Sequence, residues 1–240
     1  TISLEIGDFH PAFWLPICWS LGAVLGCIAA FLQKNNLLRF AVYATILIIF
    51  FRLLGYENRI PNFDQYSPVF NTRFLVFIIG ALAFGVILLL LNKNKDNLLK
   101  DELKIIQPSL FLGINLLLFW LLSSEIIDYF RAKLSHLSSL ERRAQLRHFD
   151  NLRNTALSVG WTFYAITLLV MGIFKKSISS RFLAIFLFGV VILKVFLFDT
   201  ANLNSFYRFI SYITLGLILL LTGYLYYRFR GRITQFIKGE

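Results

Sequence analysis

Arg39-Phe-Ala-Val-Tyr-Ala-Thr-Ile-Leu-Ile-Ile-Phe-Phe-Arg52 sets a nearly unbroken apolar run between two arginines, and Arg181-Phe-Leu-Ala-Ile-Phe-Leu-Phe-Gly-Val-Val-Ile-Leu-Lys194 sets a second one 142 positions later. The same offset aligns Trp19 with Trp161, Lys34 with Lys176 and Glu57 with Asp199, as well as Arg39 with Arg181, Phe40 with Phe182 and Arg52 with Lys194. These pairs keep their spacing without a gap. A cation inside an apolar helix is costly in a bilayer and marks a functional position by default. Its return at a fixed offset points to a duplicated helical unit.

Working outward from these runs, the composition places the whole chain in a membrane. Apolar residues make up 58% and charged residues 15%, with mean hydropathy +0.69, well away from soluble domains. Stretches of roughly 17–25 apolar residues, enough for a helix to cross a bilayer, fall at 12–33, 40–56, 74–92, 105–124, 155–174, 182–198 and 209–227. The expectation is seven spans. The first is too long for a cleavable signal, and Thr1 points to a missing initiator methionine or a longer N-terminal portion.

Loop charge gives the orientation. With the N-terminus outside, segments 33–39, 93–104, 175–181 and 228–240 are cytoplasmic and hold thirteen basic against four acidic residues, for +9; the remainder has eleven against nine, for +2. Lys and Arg collect in short cytoplasmic loops. The net charge of +11 therefore reads as topology and attraction to anionic lipid, not as nucleic-acid binding. Cys18 and Cys27 are nine residues apart on one expected helix, about 13.5 Å along its axis, too far to bond. No Cys/His metal spacing, Gly-rich phosphate loop or nucleophile elbow occurs, so no metal or cofactor is expected, and His10, His136 and His148 read as solvated.

Asn71-Thr-Arg-Phe74 opens the third span and Asn204-Ser-Phe-Tyr-Arg-Phe209 the seventh, which extends the repeat to a third helix. The expected architecture is all-α: two parallel three-helix repeats, in 1–104 and 155–240, joined through 105–154, which supplies the fourth span and an outer amphipathic segment. In that segment Phe130, Leu134, Leu137, Leu140 and Ala144 recur at helical spacing among arginines, as expected of an element that caps the bundle, lies on the outer leaflet or docks a partner. Gly22 and Gly26 with Ala29 and Ala30, and Gly80, Ala81 and Gly85, provide small faces for close helix packing within the chain. Trp14, Trp19, Trp120 and Trp161 fall at outer span ends, the level of an aromatic belt.

Arg52 and Lys194 sit near the outer ends of their spans, each five residues before an acid, Glu57 or Asp199. Arg73, Arg208, Glu125 and Asp128 reach the same level. The candidate binding layer is thus Arg52, Glu57, Arg73, Glu125, Asp128, Lys194, Asp199 and Arg208, while the inner halves of the same helices carry almost no ionisable group. A one-sided layer suits a site open to the outer face and not a continuous ion path. The same residues, read without a ligand, are ion pairs that fix helix register.

Asn154-Thr-Ala-Leu-Ser-Val-Gly-Trp-Thr-Phe-Tyr-Ala165, Ser180-Arg-Phe-Leu, Lys194-Val-Phe-Leu-Phe-Asp199, Tyr207-Arg-Phe-Ile-Ser-Tyr212 and Gly223-Tyr-Leu-Tyr-Tyr-Arg228 resemble, in that order, the C-terminal part of the bacterial multi-pass proteins grouped as domain of unknown function 2339. Weaker matches at Trp19, Asn71–Phe74 and Trp120-Leu-Leu-Ser-Ser-Glu125 extend the likeness, whereas Gly22 stands where many members carry an acid. The resemblance implies a bacterial inner-membrane protein, a short member of the family or a fragment, and brings no activity with it. The function expected from the residues is non-enzymatic: an envelope protein in contact with membrane lipids, binding a lipid headgroup, a glycan or a protein partner at its outer layer. A transporter or channel component is one alternative, and requires polar inner halves. A membrane-embedded enzyme acting on a lipid-linked anionic substrate is another, and requires Glu125 and Asp199 in one cleft.

Overall fold

The computed structural model describes residues 11–55, 66–69, 71–94 and 100–199, with the single positions 213, 216, 220 and 224. Among them are six α-helices and no strand: α1 (Pro11–Leu32), α2 (Asn36–Gly55), α3 (Thr72–Lys93), α4 (Lys100–Ser135), α5 (Ser139–Phe174) and α6 (Ile178–Lys194), followed by a π-helical turn, Val195–Asp199. Each helix is long and apolar enough to cross a membrane. The protein is an all-helical, multi-pass membrane protein. The seventh expected span, 209–227, lies outside the described residues apart from isolated positions.

The helices divide into two compact units, Thr1–His136 and Leu137–Glu240. In the first, α1 packs on α2 and α3, and α3 packs on α4. The core is a seam of Ile46, Ile49 and Leu53 from α2, Phe77, Phe84 and Ile87 from α3, and Leu117 from α4. Lipid tails are as apolar as these side chains, so close van der Waals fit holds the helices together, and small residues permit it. A Cβ built on Gly80 would lie 2.8 Å from Leu53 Cδ1, and one on Gly26 would lie 3.1 Å from Val42 Cγ2. Gly22, by contrast, meets nothing within 4 Å.

In the second unit α5 packs on α6. There a Cβ on Gly172 would come 2.9 Å from the main-chain nitrogen of Arg181, which forces backbone to move. The two hairpin turns share one hydrogen-bond pattern. Lys34 N–H donates to Phe31 O and Asn35 N–H to Ala30 O; 142 positions on, Lys176 N–H donates to Ile173 O and Ser177 N–H to Gly172 O. Lys34 and Lys176 both have φ 50. This is the left-handed closure that satisfies the last carbonyls of a helix.

Helices α4 and α5 run on past the apolar spans 105–124 and 155–174, as expected where neither Gly nor Pro occurs between Ile114 and Val159. Each has 36 residues, about 54 Å at helical rise, nearly twice the hydrocarbon thickness. The amphipathic segment is therefore not a separate element. Phe130 and Leu134 continue α4, Leu140 and Ala144 open α5, and Leu137 lies in the break between the helices. Without Gly or Pro between Ser139 and Val159, the first half of α5 stays on the axis of its membrane-crossing half and does not lie flat on a leaflet. Residues 142–148 are exposed.

Candidate functional site

At the start of α3, Asn71 adopts an extended conformation and its Oδ1 accepts the N–H of Phe74 at 2.8 Å, capping the helix. Two residues later comes Arg73. A cation in the first turn opposes the helix dipole, and this one is also buried, its side chain 3% exposed. Such a group persists only with matched counter-charge and satisfied donors. Glu125 and Asp128 supply them: three residues apart, they share one face of α4.

Arg73 Nη2 donates to Glu125 Oε1 at 2.6 Å, and Nη1 makes a short contact with Asp128 Oδ2. Glu125 is held from the other side as well. Tyr66 Oη lies 2.8 Å from Oε2, Asn71 Nδ2 3.0 Å from Oε1, and the N–H of Val69 3.1 Å from Oε2. The Tyr66 phenol is pushed above its ordinary pKa, first by burial and then by its bond to the carboxylate, so it remains a donor. Val69 has φ 67, unusual for a β-branched residue and costing on the order of 1–2 kcal/mol. That conformation presents its N–H to Glu125. Arg131, exposed on the next turn, reaches Asp128 Oδ1 at 3.2 Å, so the cluster holds two carboxylates and two guanidinium groups.

Arg52 and Lys194 have a different setting. The Arg52 guanidinium lies over the indole of Trp19 at 5.4 Å, and the Lys194 ammonium over that of Trp161 at 5.7 Å. Both cations are half-buried. Lys194 Nζ also donates to Asn154 O at 2.8 Å and Ser158 Oγ at 2.6 Å. Residues that the 142-position offset aligns thus make the same cation–π contact in each unit, attractive by about 0.5–2 kcal/mol.

Of the eight candidate residues, then, Arg73, Glu125 and Asp128 form one cluster in the first unit, Arg52 rests on Trp19, and Lys194 belongs to the second unit. Glu57 and Arg208 lie outside the described residues, as does the side chain of Asp199. Sequence reasoning missed Tyr66, and it did not foresee the main-chain donor at Val69.

It also missed a second polar cluster, at the other end of the first unit. Arg39, 5% exposed, lies in the opening of α2. Its Nε is 3.3 Å from Glu102 Oε1, its Nη2 donates to Glu102 Oε2 at 3.3 Å and to Asn36 Oδ1 at 2.7 Å, and Tyr43 Oη donates to Glu102 Oε1 at 2.8 Å. The expectation that these inner halves are almost free of ionisable groups is corrected here: α4 begins at Lys100, so Glu102 belongs to its first turn, where the helix dipole favours an acid. Both clusters are buried ion pairs. Among the described residues no group of three His, Cys, Asp or Glu is placed to hold a metal ion.

No curated protein and no solved structure matches the chain. The family model described as Predicted membrane protein (DUF2339) matches residues 8–229, a range that takes in both clusters and both tryptophan–cation contacts, and the chain belongs to that family.

Proposed function

We propose that this is a non-enzymatic protein of the bacterial inner membrane, with its N-terminus outside and its C-terminus in the cytoplasm, that holds a lipid headgroup, a glycan or an envelope partner at its outer face. The observation that carries the reading is the paired cation on indole, Arg52 on Trp19 and Lys194 on Trp161. Arg73, by contrast, is committed to Glu125 and Asp128. Tryptophan at interfacial depth beside a cation suits a phosphate or carboxylate held at the membrane surface.

The wider architecture in this proposal is seven spans, with 1–104 and 155–240 as parallel three-helix repeats and 105–154 between them. The shared turn geometry at Lys34 and Lys176 supports it. Orientation is checked by labelling: a cysteine at position 138 reacts with a membrane-impermeant reagent in intact cells, and a reporter fused after residue 240 behaves as cytoplasmic. Labelling only after permeabilisation would invert the assignment.

The binding role is checked with Arg52→Ala/Lys194→Ala. Envelope-integrity complementation is lost while expression and thermal stability in detergent stay close to those of the parent, because a partly exposed cation–π contact is a small stabilising term. Activity that declines only in step with stability across single and double variants leaves these residues as anchors and removes the binding role.

A further inference from the structure

The α1–α2 turn is Gln33-Lys34-Asn35 and the α5–α6 turn is Lys175-Lys176-Ser177. At matching positions each sets a lysine in the left-handed region, φ 50 in both. Glycine is the usual occupant of that position after a helix, because a Cβ there crowds the following carbonyl. Lys34 and Lys176 enter the turn through their main-chain N–H groups, which glycine would supply equally well, while Asn35 Oδ1 and Ser177 Oγ cap the helix that follows. The lysine is therefore retained against local preference, twice, and both copies are exposed.

A second observation concerns the neighbouring apolar side chains. Among the described residues the three most exposed large hydrophobic side chains are Phe174 at 83%, Leu32 at 80% and Leu37 at 79%. All three flank these turns at helix ends, and Leu32 and Phe174 correspond under the 142-residue offset. At the end of a membrane span such side chains find apolar surroundings only in the acyl layer directly beneath the headgroups. A lysine stem rising past them reaches the phosphate level. Neither 33–39 nor 175–181 contains an acid; the carboxylate that reaches the opening of α2, Glu102 of α4, is engaged by Arg39 and Tyr43.

We propose that each turn is a seat for an anionic phospholipid, the headgroup phosphate held by the left-handed lysine and the acyl chain packed on Leu32 and Leu37 or on Phe174. These seats lie at the opposite ends of α2 and α6 from Arg52 and Lys194 and stand independently of the outer-face reading. Lys175 adds a second cation at the α5–α6 seat.

The test uses the full chain, purified in detergent, and follows its thermal unfolding with added phosphatidylglycerol or phosphatidylcholine. The parent protein gains stability from phosphatidylglycerol and not from phosphatidylcholine. Lys34→Gly/Lys175→Ser/Lys176→Gly unfolds about 2–4 °C higher than the parent without lipid, the shift expected for removing a small backbone strain, and loses the phosphatidylglycerol response. Lys34→Arg/Lys175→Arg/Lys176→Arg keeps it. An equal response to both lipids, a phosphatidylglycerol response that survives in the glycine variant, or a glycine variant less stable than the parent without lipid would each overturn the proposal. So would inorganic phosphate alone reproducing the full shift, since the seat would then take a free anion.

Discussion

Replacing Arg73 with methionine lowers stability by about 3–5 kcal/mol, the cost of breaking one side of a buried ion pair. The loss comes less from the missing attraction than from what remains: Glu125 and Asp128, 11% and 5% exposed, must stay charged in a poor solvent or take up protons. Arg73→Met/Glu125→Gln/Asp128→Asn recovers most of the loss, because the one amide oxygen at position 125 still accepts from Tyr66 and Val69 while the stranded charges are gone. Thermal unfolding of the two variants beside the parent measures both numbers. An Arg73→Met protein as stable as the parent would mean that the cluster is not formed in the membrane.

At the other end of the first unit Glu102→Ala has a comparable effect, about 3–5 kcal/mol by the same argument, and a local readout goes with it. Arg39 and the Tyr43 hydroxyl lose their shared acceptor, and the opening of α2 loses its tie to α4. Cys27 is buried at 2% exposure in the same region, whereas Cys18 is exposed. In a Cys18→Ser background, Cys27 reacts slowly with a maleimide in the parent and faster in Glu102→Ala. Arg39→Met/Glu102→Met restores both stability and protection. Unchanged Cys27 reactivity in Glu102→Ala would show that the pair does not hold this end closed.

The membrane class, six of the expected helices and the common offset of the tryptophans and the cations were legible because hydropathy and spacing report them directly; the contact between them was not. Trp19 and Arg52, 33 residues apart in sequence, meet in space because α1 and α2 return on each other as a hairpin. The cluster partners were less visible for a physical reason. A hydropathy window discounts a charged first turn, so span four was placed at 105–124, although helix geometry favours acids at that end and carries α4 back to Lys100. By hydropathy alone Glu102 reads as a loop charge. Tyr66 and Val69 lie in an irregular segment with no periodicity to read, and a main-chain donor has no signature in side-chain chemistry. The acidic partners assigned to Arg52 and Lys194 rested on a five-residue spacing. Those acids, Glu57 and Asp199, lie outside the described side chains, and Lys194 in addition meets Asn154, Ser158 and Trp161 of α5.

Glu102 and Glu125 stand 23 residues apart on one helix, about 34 Å along its axis, and each is fastened to another helix of the same unit. Together they act as a gauge. Neither acid is at home in hydrocarbon, so the distance between them sets the bilayer that the unit fits without strain. A hydrocarbon core of about 30 Å is accommodated if α4 tilts by about 30°. Pro108, six residues past Glu102, lacks the N–H that would tie it to the preceding turn and gives the axis a place to bend. Acyl-chain length therefore acts on this protein through a single helix, and a membrane that thins or thickens pulls on two ion pairs at once.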